Sequence, residues 1–308
     1  MLLVIVGPTA VGKTQLSLDL ASILACEIVS ADSMQVYRGM DIGTAKPSNY
    51  EKKVVPHHLL DVVEPDQRFT VAEYVELAGS AIVDIRVRDR LPLVTGGTGL
   101  YINALTDGFL FPDQGRNPKL RDKLSREYAD NPKKLHGRLQ AVDAQAAAKL
   151  HPNDTRRIIR ALEVYYTTGQ PISVLQQKMS ETEGKYTVVK VGLTRGRDTL
   201  YRRVEKRVDG MLEQGLIREV GDLLQKYPSQ PTALQAIGYK EIALFLQDVI
   251  TLDEAVYLIK RDTRRYAKRQ LSWFRRDSRI HWYNLDEVSQ AEVVDSVIEQ
   301  VNQQLKNH

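Results

Sequence analysis

The stretch Leu2–Thr14, LLVIVGPTAVGKT, decides the fold class. Leu2–Val6 is a short apolar run rich in β-branched residues, which is typical of a buried parallel strand. The eight residues that follow fit the pattern G-x-x-x-x-G-K-[ST] at every fixed position. A buried strand, a glycine-rich turn and a helix start in this order form a phosphate-binding loop, or P-loop. The stretch therefore predicts an α/β protein that binds a phosphate or a diphosphate.

The chemistry of this loop follows from its residue types. Its glycines let backbone N–H groups turn around an anion, and the helix N-terminus adds partial positive charge. We expect Lys13 to reach the terminal phosphate oxygens and the Thr14 hydroxyl to ligate Mg²⁺. The predicted diphosphate-binding residues are Gly7, Pro8, Thr9, Ala10, Val11, Gly12, Lys13 and Thr14.

Further strands and helices alternate along the chain. The apolar runs predict strands at Glu27–Ser30, Leu91–Thr95, Thr187–Leu193 and Ile280–Tyr283. The apolar spacing and the end signals predict helices at Lys13–Leu24, Thr70–Arg88, Thr199–Leu212, Ile217–Lys226, Leu252–Arg276 and Ser289–Leu305. Such alternation predicts a P-loop NTPase-like parallel sheet flanked by helices. Between the third and fourth strands the pattern is helical and basic, which predicts an inserted all-helical domain. The expected domains are 1–112 with 185–308 for the catalytic core and 113–184 for the insertion.

Composition and charge narrow the function classes. The 308 residues carry a net charge of +4 and a single cysteine, Cys26, which excludes a disulfide framework and a multi-cysteine zinc site. No apolar run near the start reaches the ~20 residues of a membrane span, so we expect a cytoplasmic protein. The segments 116–160 and 260–279 each carry a local charge of +7, which indicates a polyanionic partner or two solvated helix faces.

Polar residues end the second and third predicted strands, at the rim where parallel sheets bind ligands. Asp32 lies in Ser30–Gln35, and Gly96–Gly99 closes the strand Leu91–Thr95. The carboxyl ends of parallel strands meet at one edge of the sheet, so we expect these residues and the P-loop to share a site. From position alone, Asp32 could ligate Mg²⁺, act as a general base or cap a turn.

Seven segments in the same order resemble the tRNA dimethylallyltransferase (tRNA isopentenyltransferase) family. They are GPTAVGKT (7–14), SADSMQVYRGMDIGTAKP (30–47), PHHLLDVVEP (56–65), VTGGTGLY (94–101), HPNDTRRIIRALEVY (151–165), QAIGYKE (235–241) and RRYAKRQLSWFR (264–275). The resemblance covers nearly the whole chain and has the length of a bacterial member. It implies transfer of a dimethylallyl group from dimethylallyl diphosphate to N6 of the adenine 3′ of the anticodon, position 37, in tRNA, with release of diphosphate.

The resemblance also implies roles for individual residues. Asp32 corresponds to the family's general base, and Thr98 to a residue near the base and its ribose–phosphate. Arg197 resembles an arginine at the diphosphate, with Arg195 as the competing assignment, and Lys13 and Thr14 complete the catalytic set. The implied tRNA-binding residues are Asp32, Ser33, Met34, Gln35, Thr98, Arg121, Arg156, Arg157, Ile158, Ile159, Arg160, Gln235, Ala236, Ile237, Gly238, Tyr239 and Lys240. The implied partners are tRNA, gripped at its anticodon stem-loop, and dimethylallyl diphosphate, with Mg²⁺ as cofactor. A monomer suffices because every motif lies on one chain.

The helix from Leu252 is predicted to have two faces. Arg261, Arg265, Lys268, Arg269 and Arg276 share the face expected to meet RNA phosphates. Val256, Ile259, Tyr266 and Trp273 share the face expected to pack on the core. We also expect Trp273 and Phe274 to be core residues and the His57–His58 pair to be structural or substrate-lining.

Three other functions remain open at this point. A small-molecule kinase explains the P-loop but leaves the two basic segments without a role. An RNA-binding protein that uses nucleotide as a switch explains the charges but leaves Asp32 unused. A prenyltransferase acting on free adenine nucleotides shares the chemistry but does not need the basic helical insertion.

Overall fold

The computed structural model describes residues 1–108, 117–180, 186–228 and 233–306. The chain divides into two compact units, 1–106 with 186–308, and 107–185. The domain boundaries predicted at 112/113 and 184/185 lie outside the described residues.

The larger unit is built on one parallel sheet. Its strands in the described residues are β1 Leu2–Val6, β2 Cys26–Ser30, β3 His57–His58, β4 Leu91–Gly96, β5 Val188–Thr194 and β6 His281–Asn284. Their order across the sheet is β3-β2-β4-β1-β5-β6, and every pair is parallel. The predicted parallel α/β sheet is confirmed. The two-residue edge strand β3 was not predicted, because so short an element leaves no periodic pattern in the sequence.

Helices connect the strands and form the smaller unit. In the described residues they are α1 Lys13–Ile23, α2 Asn49–Val54, α3 Val71–Val87, α4 Gly99–Asp107, α5 Pro118–Asp130, α6 Pro132–Val142, α7 Ala144–Lys149, α8 Thr155–Thr168, α9 Ile172–Ser180, α10 Arg197–Glu213, α11 Leu216–Lys226, α12 Tyr239–Leu246, α13 Leu252–Phe274 and α14 Gln290–Lys306. The six helices predicted with bounds all form, each within two residues of those bounds. The capping box predicted for α3 is present: the Thr70 hydroxyl accepts from Glu73 N, and the Glu73 carboxylate accepts from Thr70 N.

The sheet is buried on both faces. Because successive side chains of a strand point to opposite sides, β1 contributes to two cores. Leu3 and Ile5 pack with α1 and α14, whereas Leu2, Val4 and Val6 pack with α3 and α4. Each of these side chains is fully buried, which stabilises the fold by about 1.5–3 kcal/mol per residue. The strand that leads into the P-loop is therefore firmly held.

A third apolar core lies among α10, α11, α12 and α13. Val36, Tyr37 and Met40, from the segment after β2, are fully buried in it. This packing fixes the segment that follows Asp32 against the helices.

The orientation of α13 differs from the prediction. Its buried residues are Ala255, Ile259, Ala267, Gln270 and Phe274. Phe274 is in the core as predicted, and so is Cys26 in β2. Trp273 is 39% exposed and packs on the turn before α4, where a Cβ on Gly99 would lie 2.2 Å from the indole ring. The prediction of Trp273 as a core residue was wrong because the inward face of the helix is rotated by one residue.

The smaller unit is a cluster of the short helices α5 to α9. Leu124, Leu135, Leu139 and Leu162 are buried at its centre. Asparagine and aspartate side chains accept hydrogen bonds from the first turns of α5, α6, α7 and α8, which stops these helices at defined points. Among the described residues of both units, no helix is long and apolar enough to cross a membrane.

Candidate active site

The carboxyl ends of the strands surround a cavity of about 350 Å³. The P-loop contributes Thr9, Lys13 and Thr14 to its wall, the segment after β2 contributes Asp32–Gln35, and β4 contributes Thr95–Gly97. Residues from Gly43–Pro47, α10, α13 and the segment 235–237 complete the lining. The structure thus brings together the three strand ends that the sequence placed at one rim.

The P-loop has the backbone expected of an anion cradle. Gly7 has φ +149°, and a Cβ there would lie 2.7 Å from Leu193 O, so only glycine fits. Gly12 precedes α1 without any side-chain cap, which leaves the helix N-terminus open toward the cavity. Pro8 and Val11 belong to this turn, where Val11 N donates to Pro8 O at 3.4 Å.

Lys13 and Asp32 form the charged centre of the cavity. The Lys13 Nζ donates to Gly7 O at 3.0 Å and to Pro8 O at 2.9 Å. Burial lowers the pKa of Lys13 to about 7, with a further lowering from Arg207 and an opposing effect from Asp32. Lys13 therefore lies close enough to both groups to sense their charges.

The Asp32 carboxylate combines a local and an outward role. Its Oδ1 accepts from Met34 N at 2.9 Å, so the turn-capping interpretation is correct for one oxygen. Asp32 also lines the cavity, where its charge acts on Lys13. The carboxylate is held by its own backbone while it faces the cavity.

Thr98 supports this segment. Its hydroxyl oxygen accepts from Ser33 N at 3.0 Å and lies 3.3 Å from the Ser33 hydroxyl. Gln35 is held in a similar way, since the Ser30 hydroxyl donates to its Oε1 at 2.9 Å. The predicted contact of Thr98 with the substrate stays a prediction, whereas its bond to the Asp32–Gln35 segment is observed.

The arginine of the cavity is Arg207, which the sequence analysis did not identify. Arg207 lines the cavity and donates to Thr44 O at 3.3 Å. Burial lowers its pKa, while the charge of Asp32 opposes that shift. Arg207 borders the buried stripe of α10 at Leu200, Val204 and Val208, and a cation beside such a stripe is the signal that could have found it.

The two arginines that the sequence proposed lie elsewhere. Arg197 is absent from the cavity lining, and its guanidinium lies over the Tyr201 ring, 5.3 Å from the centroid. Arg195 donates to Val11 O at 3.1 Å and pairs with Asp286, so it braces the P-loop from outside. The assignment of Arg197 to the diphosphate is corrected, because the loop before α10 turns it away from the cavity lining.

The segment 235–240 divides into two parts. Gln235, Ala236 and Ile237 line the cavity. Tyr239 is 2% exposed in the third core, which contradicts a direct tRNA contact. Gly238 is also buried, and Lys240 pairs with Glu241 and Asp262.

In the smaller unit, the predicted tRNA-binding residues fall into three groups. Ile158 and Ile159 are 0% and 5% exposed in the core, so they do not contact RNA, and the prediction for them is corrected. Arg121 and Arg160 both donate to the buried Glu163 carboxylate, at 2.7 and 2.9 Å. Arg156 and Arg157 are exposed, and Arg157 pairs only with the neighbouring Asp154 in the contacts found.

The two histidines have different surroundings. His57 lines the cavity, its Nδ1 lies 2.7 Å from Val55 O, and burial lowers its pKa. His58 bonds to Glu27 instead. Within the described residues no cluster of three or more His, Cys, Asp or Glu could hold a metal ion. Thr14 and Asp32 nevertheless offer oxygen atoms to the cavity, the ligand type that Mg²⁺ prefers.

Known proteins share both the sequence and this architecture. A family model described as IPP transferase matches residues 35–277, and one described as isopentenyl transferase matches residues 1–61. The chain belongs to the IPP transferase family. The matched ranges include the P-loop, Asp32 and Arg207, so the family assignment includes the whole cavity.

Curated members of the IPP transferase family are similar over almost their full length. The tRNA dimethylallyltransferase of Halothermothrix orenii is 51% identical over 92% of this chain and 87% of its own. The tRNA dimethylallyltransferase of Desulforudis audaxviator is 52% identical over 93% of this chain and 92% of its own.

Solved structures of the family confirm the P-loop NTPase-like fold. The tRNA isopentenylpyrophosphate transferase of Bacillus halodurans superposes with a TM-score of 0.74 at 42% identity, covering 100% of this chain and 99% of that one. A eukaryotic dimethylallyltransferase acting on tRNA superposes with a TM-score of 0.84 at 28% identity, covering 98% of this chain and 79% of that one.

Proposed function

We propose that this chain transfers a dimethylallyl group from dimethylallyl diphosphate to N6 of the adenine 3′ of the anticodon, position 37, in tRNA, releasing diphosphate. One observation carries the proposal: a single cavity joins the P-loop residues Lys13 and Thr14 to the carboxylate of Asp32. An anion-binding end and a proton acceptor are what this reaction needs. The family membership and the names of the relatives support the same activity.

The P-loop end of the cavity suits the leaving group. Backbone N–H groups at the start of α1 and the side chains of Lys13 and Arg207 converge there. Negative charge grows on the diphosphate as its C–O bond breaks, and positioned donors in a secluded cavity stabilise such charge strongly. Binding of the anion would also draw the Lys13 ammonium away from its present carbonyl partners, Gly7 O and Pro8 O.

Asp32 suits the acceptor. The N6 nitrogen forms the new bond to C1 of the dimethylallyl group, while the electrons of the C–O bond leave with the diphosphate. N6 then carries one proton too many, and Asp32 accepts it. The bond from Met34 N holds the carboxylate in place for this transfer.

We further propose Mg²⁺ as cofactor, held by the Thr14 hydroxyl together with donor oxygens and water. Mg²⁺ is usually bound by few protein ligands and substrate phosphates, which fits a cavity without a larger carboxylate cluster among the described residues. When bound, the ion supplies positive charge next to the leaving group.

Exposed cations supply surfaces for the anticodon stem-loop. On α13, Arg265, Lys268 and Arg269 are exposed, and Arg269 also lines the cavity. In the smaller unit, Arg156 and Arg157 are exposed. A base that is modified must leave its stack, so cations beside the cavity would hold the loop around the extruded adenine. All cavity residues come from one chain, which supports a monomer as the working unit.

The test is mass spectrometry of a tRNA with unmodified adenine 37 after incubation with the protein, Mg²⁺ and dimethylallyl diphosphate. We expect that adenine to gain one C5H8 unit. The matched control is Asp32→Asn, which retains an oxygen for Met34 N but cannot take up the proton. We expect its kcat to fall by about 10²-fold or more, in the range of general-base losses.

Parallel reactions separate the alternatives. Free AMP and ATP are offered as acceptors, and labelled ATP is offered as a phosphoryl donor. Prenylation of free nucleotide in preference to tRNA, or phosphoryl transfer without prenylation, would overturn the proposal.

A further inference from the structure

Glu219 binds a row of backbone groups from a distant part of the chain. It lies on α11, and its Oε2 accepts from Asp41 N at 3.0 Å and from Ile42 N at 2.8 Å. Its Oε1 accepts from Gly43 N at 3.2 Å. Three successive N–H groups that converge on one point form a nest for an anion, and here a side chain supplies the anion.

The same carboxylate holds a second segment. The Tyr239 hydroxyl donates to Glu219 Oε1 at 2.5 Å. The Tyr239 ring lies so close to Gly43 that a Cβ there would be 2.4 Å from a ring carbon, which only glycine allows. Glu219 therefore ties residues 41–43 to the start of α12.

Both tied segments lead directly into the cavity wall. Gly43, Thr44 and Ala45 line the cavity on one side of the tie, and Gln235–Ile237 line it just before Tyr239. Glu219 itself is absent from the lining. It acts on the cavity only through the two segments that it joins.

The loop held by Glu219 orients two cavity side chains. Gln35 Nε2 donates to Thr44 O at 3.3 Å and to Ala45 O at 3.2 Å. Arg207 donates to Thr44 O at 3.3 Å. The position of the Thr44 carbonyl thus decides where Arg207 and Gln35 point.

The far end of the loop has its own anchor. Lys46 is buried, and its Nζ donates to Asp41 Oδ1 and Asp61 Oδ1, each at 2.6 Å, and to Tyr37 O at 2.8 Å. This anchor acts on side chains and on Tyr37 O, whereas Glu219 binds the backbone of residues 41–43. Loss of Glu219 would therefore free the loop backbone without detaching the loop.

We propose that Glu219 is a positioning residue for the transferase reaction: it holds the 41–45 loop so that Arg207 and Gln35 face the substrates. This inference rests on the proposed function for its kinetic readout. A carboxylate is required because all four partners are donors. An amide in its place would direct an NH₂ group at one pair of them.

The test compares Glu219→Gln with Asp222→Asn, a matched change on the same helix at a side chain that is 70% exposed and pairs with Arg218 at 3.8 Å. Steady-state kinetics give kcat and KM for dimethylallyl diphosphate, and hydrogen exchange reports the amides of residues 41–43. We expect Glu219→Gln to lower kcat/KM by about tenfold or more and to speed exchange at those amides. We expect Asp222→Asn to change neither readout.

A double-mutant cycle separates positioning from general stabilisation. If Glu219 acts by orienting Arg207, Glu219→Gln costs little further activity once Arg207→Gln is present. Tyr239→Phe, which removes one donor and keeps the ring, covers the case in which Glu219→Gln fails to fold; it should shift both readouts in the same direction by less. Additive losses in the cycle would overturn the proposal, as would kcat/KM within about twofold of wild type.

The outcome stays readable if the wild-type chain proves not to prenylate tRNA. Affinity for inorganic diphosphate, measured by calorimetry, then replaces kcat/KM in the same cycle. Weaker diphosphate binding with faster amide exchange in Glu219→Gln still supports the positioning role. Unchanged affinity and exchange overturn it, independently of the reaction.

Discussion

Gln270 joins the P-loop to the turn after β4 through both ends of one amide. Its Oε1 accepts from Thr9 N at 2.8 Å, and its Nε2 donates to Gly97 O at 3.0 Å. Gln270 is 5% exposed, and a Cβ on Gly97 would lie 2.0 Å from its Nε2. The helix α13 thereby fixes the spacing between the predicted diphosphate site and the predicted acceptor site.

Replacing Gln270 by glutamate should therefore disturb the cavity. The carboxylate keeps the acceptor for Thr9 N but places a second negative oxygen against Gly97 O. We expect kcat/KM for dimethylallyl diphosphate to fall by about 10- to 100-fold, equivalent to the ~1–3 kcal/mol of an unsatisfied buried polar group. Steady-state prenyl transfer measures it, with Gln225→Glu on the exposed side of α11 as control. Equal kinetics for the two variants would show that the bridge does not matter.

Lys13 should take up a proton when the diphosphate binds. Its pKa is about 7 in the ligand-free cavity because burial disfavours the charged form. An anion beside it favours the charged form and raises the pKa, so above pH 7 binding couples to protonation and the affinity falls as pH rises. Near pH 8 we expect an uptake approaching one proton. Calorimetry of dimethylallyl diphosphate binding in buffers of different ionisation enthalpy measures this number.

Lys13→Met is the control for that measurement. It removes the titrating group, so its binding should be weaker and nearly independent of buffer between about pH 7.5 and 9. A proton uptake that persists in Lys13→Met would assign the titration to another group, and the interpretation of Lys13 would be wrong.

Arg207 and Arg197 should differ sharply in their effect on the reaction. Arg207 lines the cavity, whereas Arg197 stacks on Tyr201 outside the lining. We expect Arg207→Gln to lower kcat/KM by about 10²- to 10³-fold, as for other preorganised donors to a developing anion. We expect Arg197→Gln to change it by less than about threefold. The same prenyl-transfer assay tests both variants, and a larger loss for Arg197→Gln would restore the sequence-based assignment.

These arginines show where sequence reasoning succeeded and where it stopped. The P-loop and Asp32 could be located because fixed spacing after buried strands places them at one edge of the sheet. Arg207 could not, because its position depends on how α10 packs beside the strands. Ile158, Ile159 and Tyr239 lie within motifs that resemble the family, yet their side chains are buried. A motif identifies a segment, and packing decides which of its side chains face the ligand.

Charge reversal in the smaller unit should weaken tRNA binding if its exposed cations meet phosphates. Arg156 and Arg157 suit this test because they are exposed, whereas Arg160 must stay, since it pairs with the buried Glu163 and its reversal would leave two carboxylates together. We expect Arg156→Glu with Arg157→Glu to raise the Kd for tRNA by about tenfold or more and to flatten its salt dependence, by up to about one unit of slope per lost contact.

The control for this prediction reverses two other exposed cations, Lys53 and Arg90. Arg90 directly precedes β4, so it lies at the edge of the sheet away from the carboxyl ends that form the cavity. The Lys53→Glu, Arg90→Glu variant has the same net charge as the test variant, which separates a local contact from a general electrostatic effect. Binding of tRNA is measured by filter retention at several salt concentrations. If both double variants weaken binding equally, Arg156 and Arg157 act only through the overall charge, and the smaller unit does not grip the tRNA at this face.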